Sequence, residues 1–337
     1  MYINMNDWSQ EIIQAKDRRF LPVLYFPCLA LTDYTVLDTV KDGGKMAEVM
    51  TATIRRFPQI IAAMTGMDLT IDAEAFGAPV RFKRKDVPCL AGTMVNCDAD
   101  IDALQVPGPH AGRQDVHYQA VREAQLQVTD RPVFGGQLGP YSLAANLMDL
   151  TDTLVATINE PAKVHRLVEK ATEHLINRAL AYKAAGANGI LLAEPTAGLL
   201  SPDCCDEFSS RYVKRLVDAV QDSSFYVILH DCGNVTEMCE SMYRTGARGF
   251  HFGNAVDMVE ICRRMPQDVL VFGNISPAEI HADSPEALRE KCDKLLAATA
   301  QFPNFVFSSR CDVPAITTLD KIQVMIDSCR DFNAKLD

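Results

Sequence analysis

The chain has 337 residues, 48% of them hydrophobic and 23% charged, so it can bury a large core and does not have the composition of a disordered segment. Its 33 Lys and Arg against 44 Asp and Glu give a net charge of −11; this excludes an extended phosphate-binding surface for nucleic acid, although a small anionic ligand in a locally basic pocket stays open. No apolar run approaches the roughly 20 residues of a membrane span, and the opening MYINMNDWSQEII lacks the basic and apolar regions of an export signal, so a cytoplasmic protein is expected.

In chain order, an N-terminal helical segment is followed by a first apolar run at 21–28 (LPVLYFPC) and a helix over 45–64. Further runs lie at 68–73 (DLTIDA), 132–136 (PVFGG) and 189–195 (GILLAEP). A helix over 162–185 stands between the last two, with Asn159 and Pro161 as start signals and Gly186 as its stop. A helix over 203–220 leads to the run 225–232 (FYVILHDC), and helices over 234–245 and 257–265 flank the run 249–253 (GFHFG). The runs 269–275 (VLVFGNI) and 305–309 (FVFSS) are separated by a helix over 285–299, and a helix over 319–332 ends the chain.

Near-continuous apolar runs suit strands buried on both faces of a parallel sheet. Eight of them alternating with helices predict an α/β fold, a (β/α)8 TIM barrel, as one domain over 1–337. A doubly wound sheet fits less well, because no GxGxxG opens a helix. The stretch 74–95 breaks the alternation with turns at 77–79 and 86–88, and reads as a β-hairpin excursion over the barrel mouth. The eleven cysteines are scattered, odd in number and without a CxxC pair, so most are expected to be small buried hydrophobes.

In such a barrel, chemistry sits at the C-terminal ends of the strands. The fifth run ends His230-Asp231-Cys232-Gly233, and alternation along a strand points His230 and Cys232 one way and Asp231 the other. The eighth is followed by Arg310-Cys311-Asp312-Val313-Pro314 at the same barrel face. One imidazole and two thiolates form a three-ligand zinc set with an open fourth position, the pattern of catalytic zinc. On spacing alone a second reading stands beside it: two buried cysteines and a hydrogen-bonded histidine.

The sequence resembles the uroporphyrinogen decarboxylase superfamily, and within it the zinc-dependent corrinoid methyltransferases of the methylcobamide:coenzyme M methyltransferase type. The resemblance covers nearly the whole chain. It is carried by Gly139-Pro140-Tyr141-Ser142-Leu143-Ala144, by Ala193-Glu194-Pro195-Thr196-Ala197, by Gly273-Asn274-Ile275-Ser276-Pro277 and by the two metal segments. It implies a (β/α)8 barrel with zinc held by His230, Cys232 and Cys311. A methylated corrinoid, as methylcobalamin or on a corrinoid protein, would give its methyl group to a small acceptor. A thiol suits this chemistry, because zinc deprotonates a thiol that is otherwise a poor nucleophile at pH 7; tetrahydrofolate is the second acceptor to consider.

The superfamily's porphyrinogen decarboxylases use no metal and carry an arginine-containing motif at the end of the first strand. The corresponding segment here, Tyr25-Phe26-Pro27-Cys28-Leu29-Ala30-Leu31-Thr32-Asp33, has no arginine. Decarboxylases also place a histidine where this chain has Cys311. Decarboxylation is therefore the alternative activity, and a non-catalytic zinc-stabilised module that binds a corrinoid protein is the alternative without chemistry. The chain departs from the methyltransferase branch at His251-Phe252-Gly253-Asn254, where an acidic residue can complete the zinc shell. Water, His251 and Glu194 are the candidates for that fourth position. Glu194 is expected to position the acceptor or move a proton, or else to bond to His230, while Asp33 and Tyr141 are expected to line the substrate pocket. Asp312 is expected to orient loop backbone or pair with Arg310.

Overall fold

The computed structural model describes residues 3–336. Its strands in chain order are β1 (Ala63–Met64), β2 (Val80–Arg81), β3 (Cys89–Leu90), β4 (Val133–Leu138), β5 (Gly189–Ala193), β6 (Tyr226–Asp231), β7 (Gly249–Phe252), β8 (Leu270–Ile275) and β9 (Phe305–Ser309). β2 and β3 pair antiparallel, Val80 with Leu90 and Arg81 with Cys89. The other seven form one parallel sheet in the order β1-β4-β5-β6-β7-β8-β9. Every residue of β4, β5, β6, β7 and β9 is buried, as the continuous apolar runs require of a sheet covered on both faces.

The sheet curls like a TIM barrel. Phe20 makes parallel bridges both to Ile60, just before β1, and to Phe307 in β9. The first apolar run, 21–28, thus forms no regular strand, and the bridging residue is Phe20, just before it. Leu21 N still donates to Phe307 O, but Pro22 has no N–H to continue the ladder. Further on, residues Phe26–Leu31 coil into a 3-10 helix with Pro27 in its first turn.

The second run is also corrected. The strand lies upstream at Ala63–Met64, and the expected strand at 68–73 runs instead through a turn into a short helix, Ile71–Ala75. Asp68 causes the turn: its Oδ1 accepts from Thr70 N at 3.0 Å and from Thr70 Oγ1 at 2.6 Å. The preceding helix, Gly43–Arg56, ends before Pro58 and does not reach 64, because the residue before a proline is pushed out of the helical region. The expected helix over 203–220 is divided by a π turn at Asp206–Ser210. Helices absent from the sequence reading include Gln114–Gln127 and Pro140–Met148. The N-terminal helix, Met5–Gln14, is capped by the Asn4 side chain and reaches the start of β6 through a hydrogen bond from Tyr226 Oη to Asn6 Oδ1. No described helix is long and apolar enough to cross a membrane.

A wholly buried ion pair fastens the sheet to its helices. Arg178, on the helix Pro161–Ala184, lies 2.5 Å from Asp72, which also accepts from Leu138 N in β4 at 3.2 Å. His174 Nε2 stands 3.4 Å from the same carboxylate. Burial works to raise the Asp72 pKa, but the Arg178 charge and His174 outweigh it and hold the carboxyl below the usual range. Replacing Arg178 with Met strands a buried carboxylate and should cost about 3–5 kcal/mol in urea unfolding. The carboxylate's contribution is fully present above its unfolded pKa of about 4 and fades as pH falls toward the depressed native value. The stability curves of wild type and Asp72→Asn should therefore converge in acid.

Candidate active site

Because the strands run parallel, the C-terminal ends of β5, β6, β7 and β9 open on one rim. There the ends of β5 and β6 and the segment after β9 line a cavity of about 420 Å3. Its polar lining is His230, Cys232, Cys311 and Asp312. Its apolar wall includes Met67, Leu69 and Leu191, with Val87 and Pro88 contributed by the loop between β2 and β3. None of the lining residues is Lys or Arg.

His230 is the penultimate residue of β6 and is 3% exposed. Parallel register sets it beside His251 of β7. The two Nδ1 atoms are 2.7 Å apart, and His230 Nδ1 is also 3.2 Å from His251 O. His251 Nε2 lies 3.0 Å from Ser308 Oγ in β9. Burial, with His230 adjacent, holds the His251 pKa well below the usual imidazole value, so this ring is neutral at pH 7. His230 Nε2 is buried and has no hydrogen-bond partner.

Cys232 and Cys311 are both partly buried. Arg310 Nη2 donates to Cys232 O at 3.3 Å and Arg310 N donates to Ile275 O, which draws the segment after β9 toward the end of β6. Gly253 packs directly on Cys232: a Cβ there would fall 2.6 Å from Cys232 O, so no larger residue fits that approach. Burial pushes the Cys311 thiol up, opposed by the Asp312 N–H and the Arg310 charge. Asp231 points away from His230, as alternation requires; burial pushes its carboxyl up to about 7, and it accepts from Gly233 N at 2.8 Å. Among the described residues, no three His, Cys, Asp or Glu side chains are gathered closely enough to hold a metal ion. His230, Cys232 and Cys311 share a cavity wall without forming a closed shell.

The other expected site residues lie elsewhere. Glu194, just past β5, turns to the N-terminus of the helix Pro140–Met148. Its Oε1 accepts from Tyr141 N at 2.8 Å and from Ser209 Oγ at 3.0 Å, and its Oε2 from Ser142 N at 2.9 Å. Burial raises its pKa, against the pull of these donors. The helix approaches so closely that a Cβ on Gly139 would lie 2.5 Å from Glu194 Cδ. Tyr141 is fully buried and its hydroxyl pairs with Thr157 Oγ1 at 2.8 Å. Asp33 is exposed in the loop after Phe26–Leu31. None of these three lines the cavity. With both nitrogens of His251 and both oxygens of Glu194 engaged, neither is free to serve as a fourth ligand.

Two residues lie closer to the site than the sequence indicated. Asp312 lines the cavity, and its Oδ1 is buried without a partner. Burial, with Cys311 beside it, pushes its carboxyl well above the usual range. Ser308 joins His251 in the polar network behind His230. The signal for Asp312 was its place next to Cys311; for Ser308 no local signal exists, because its partner lies two strands away.

The family model described as uroporphyrinogen decarboxylase (URO-D) matches residues 28–332. A uroporphyrinogen decarboxylase from Aliivibrio salmonicida is 26% identical over 300 residues, covering 86% of this chain and 83% of that protein. The methylcobamide:CoM methyltransferase MtbA from Methanosarcina acetivorans is 24% identical over 299 residues, covering 86% and 85%. A solved methyltransferase from Methanosarcina mazei superposes with a TM-score of 0.87 at 19% identity over 98% of this chain and 99% of that one, so the two chains share a fold.

Glu194→Gln tests the structural role of that residue. An amide nitrogen facing a helix N–H loses at least one of the three bonds, and should lower stability by about 1–3 kcal/mol. The rate at which a thiol reagent labels Cys232 and Cys311 in the native protein should stay unchanged.

Proposed function

The chain belongs to the uroporphyrinogen decarboxylase family, and from that premise we propose that it is a zinc-dependent methyltransferase, moving a methyl group from a methylated corrinoid to a small thiol. The observation that carries the proposal is the shared cavity wall: one imidazole with an unpartnered buried nitrogen and two partly buried thiols, in a lining without Lys or Arg. Imidazole and thiolates are the donor chemistry that soft divalent zinc prefers. In donor chemistry the residues present suit such an ion, and His230, Cys232 and Cys311, which stand apart along one cavity wall, would have to draw together to hold it. When bound, zinc would supply positive charge that keeps an acceptor thiol deprotonated near neutral pH.

The protein's own residues do the rest. Met67, Leu69 and Leu191 offer a dry, apolar wall that suits a methyl group and a short alkyl thiol and excludes competing water. Asp312 presents a buried oxygen to the same space and orients a donor group of the acceptor. In the transfer, the acceptor sulfur forms a bond to the methyl carbon. The cobalt–carbon bond breaks with its electron pair left on the corrinoid, and the thiol proton is released. A corrinoid protein presents the methyl group at the cavity mouth, in the cytoplasm.

Many relatives carry the decarboxylase name, and decarboxylation is the second reading. A porphyrinogen with several carboxylates needs fixed cations, and this cavity has none in its lining. Arg18, the buried arginine nearest the first run, is spent on the carbonyls of Phe302, Phe305 and Thr299. These precede or open β9, and so lie at the opposite end of the strands from the cavity.

Purified protein should carry close to one zinc per chain. Cys232→Ala and Cys311→Ala should each lose tight zinc binding and stay folded, because the site is on the rim; full zinc occupancy in both variants would refute the ligand assignment. With zinc bound, methylcobalamin and 2-mercaptoethanol should give a corrinoid absorbance change that metal-free protein does not give. Equal transfer by metal-free protein would refute the zinc chemistry, and transfer to tetrahydrofolate alone would replace the acceptor. Uroporphyrinogen should not be turned over.

A further inference from the structure

Behind the cavity, a chain of hydrogen bonds runs from the carbonyl of Leu21 through Ser308 and His251 to His230. Its direction can be deduced atom by atom. Ser308 Oγ has one proton and lies 2.6 Å from Leu21 O, which can only accept, so the hydroxyl donates there. Toward His251 Nε2, 3.0 Å away, Ser308 Oγ can then only accept, so His251 Nε2 carries a proton. The two Nδ1 atoms, 2.7 Å apart, share a single proton between them. It belongs to His230, because His230 Nδ1 also faces His251 O at 3.2 Å, and that oxygen again can only accept. A neutral His230 with Nδ1 protonated has its lone pair on Nε2. That atom is buried, unpartnered and part of a residue lining the cavity.

We propose that His251 and Ser308 are positioning residues that set the tautomer of His230, so that Nε2 offers a lone pair to the cavity before any ligand arrives. The inference rests on the reading of His230 as a metal ligand and deepens it. Which nitrogen of a histidine is free is fixed by the bond the other one makes, and partners of this kind govern metal affinity without touching the metal. The arrangement follows from register. His230 and His251 are paired across β6 and β7, and Ser308 lies in β9, on the far side of β8. The bond to Leu21 O anchors the chain where the first run meets Phe307. The network therefore joins the two strands whose ends carry Cys232 and Cys311.

The test uses full-length, metal-free protein labelled with 15N-histidine, in which long-range proton–nitrogen NMR identifies the protonated nitrogen of each ring. His230 should show Nδ1–H and His251 Nε2–H; a His230 ring with Nε2–H overturns the proposal. His251→Leu removes the acceptor and should release the His230 tautomer and weaken zinc binding by about 10- to 100-fold. His251→Asn places an amide oxygen near the lost Nδ1 and should restore both the tautomer and most of the affinity. Ser308→Ala should unfix the His251 ring and give an intermediate loss. Wild-type zinc affinity in both His251→Leu and Ser308→Ala overturns the positioning role. The expected tautomers in a protein that binds no zinc would uphold the assignment and refute the function proposed above, so the two can fail separately.

Discussion

Parallel pairing is the constraint on which the rest of this structure depends. From β1 through β4 to β9 each strand runs the same way as its neighbour, so residues far apart in sequence arrive together at one rim. His230 at the end of β6 and Cys311 just past β9 line one cavity for that reason, although 80 residues of chain separate them. Register does the finer placement. The pairing of His230 with His251 sets two rings side by side, and the Arg310 bond to Cys232 O ties the loops that carry the two thiols. The buried pair of Arg178 and Asp72 holds β4 against its helices, which keeps the apolar wall beside those strands in place.

At the rim, most buried polar groups are already committed to structure. Glu194 binds the first N–H groups of the helix Pro140–Met148, where the helix dipole favours an anion. Asp231 holds Gly233, and His251 is bonded through both nitrogens. Among the cavity's lining residues, His230 Nε2 and Asp312 Oδ1 are the buried polar side-chain atoms left without partners. An unpartnered buried polar atom costs free energy, and a ligand in the cavity would recover it. This distribution separates residues that build the rim from those that face what enters.

Much of this was legible in the sequence, and what was not has physical causes. The buried strands from β4 to β9 were visible as short apolar runs, because a strand covered on both faces must be apolar throughout. The alternation in His230-Asp231-Cys232 gave the correct facing of each side chain. The first two runs misled because local chemistry overrode the apolar pattern, through Pro22 and Pro27 in one and the side-chain bonds of Asp68 to Thr70 in the other. Glu194 stands at a strand end, which suggested a part in handling the acceptor or a proton, or a bond to His230. The carboxylate bonds instead to the helix that begins at Pro140, in a stretch where no helix was expected. The network through Ser308 could not be read from sequence, since it depends on register across three strands.

The most direct test of the central claim is cobalt substitution. Metal-free protein titrated with Co(II) should develop a near-ultraviolet thiolate-to-cobalt charge-transfer band that saturates at one equivalent. The band should weaken in Cys232→Ser and in Cys311→Ser and vanish when both are changed. A band of full intensity in the double variant, or no band in the wild type, would contradict the assignment of Cys232 and Cys311, with His230, as the ligands of one metal ion.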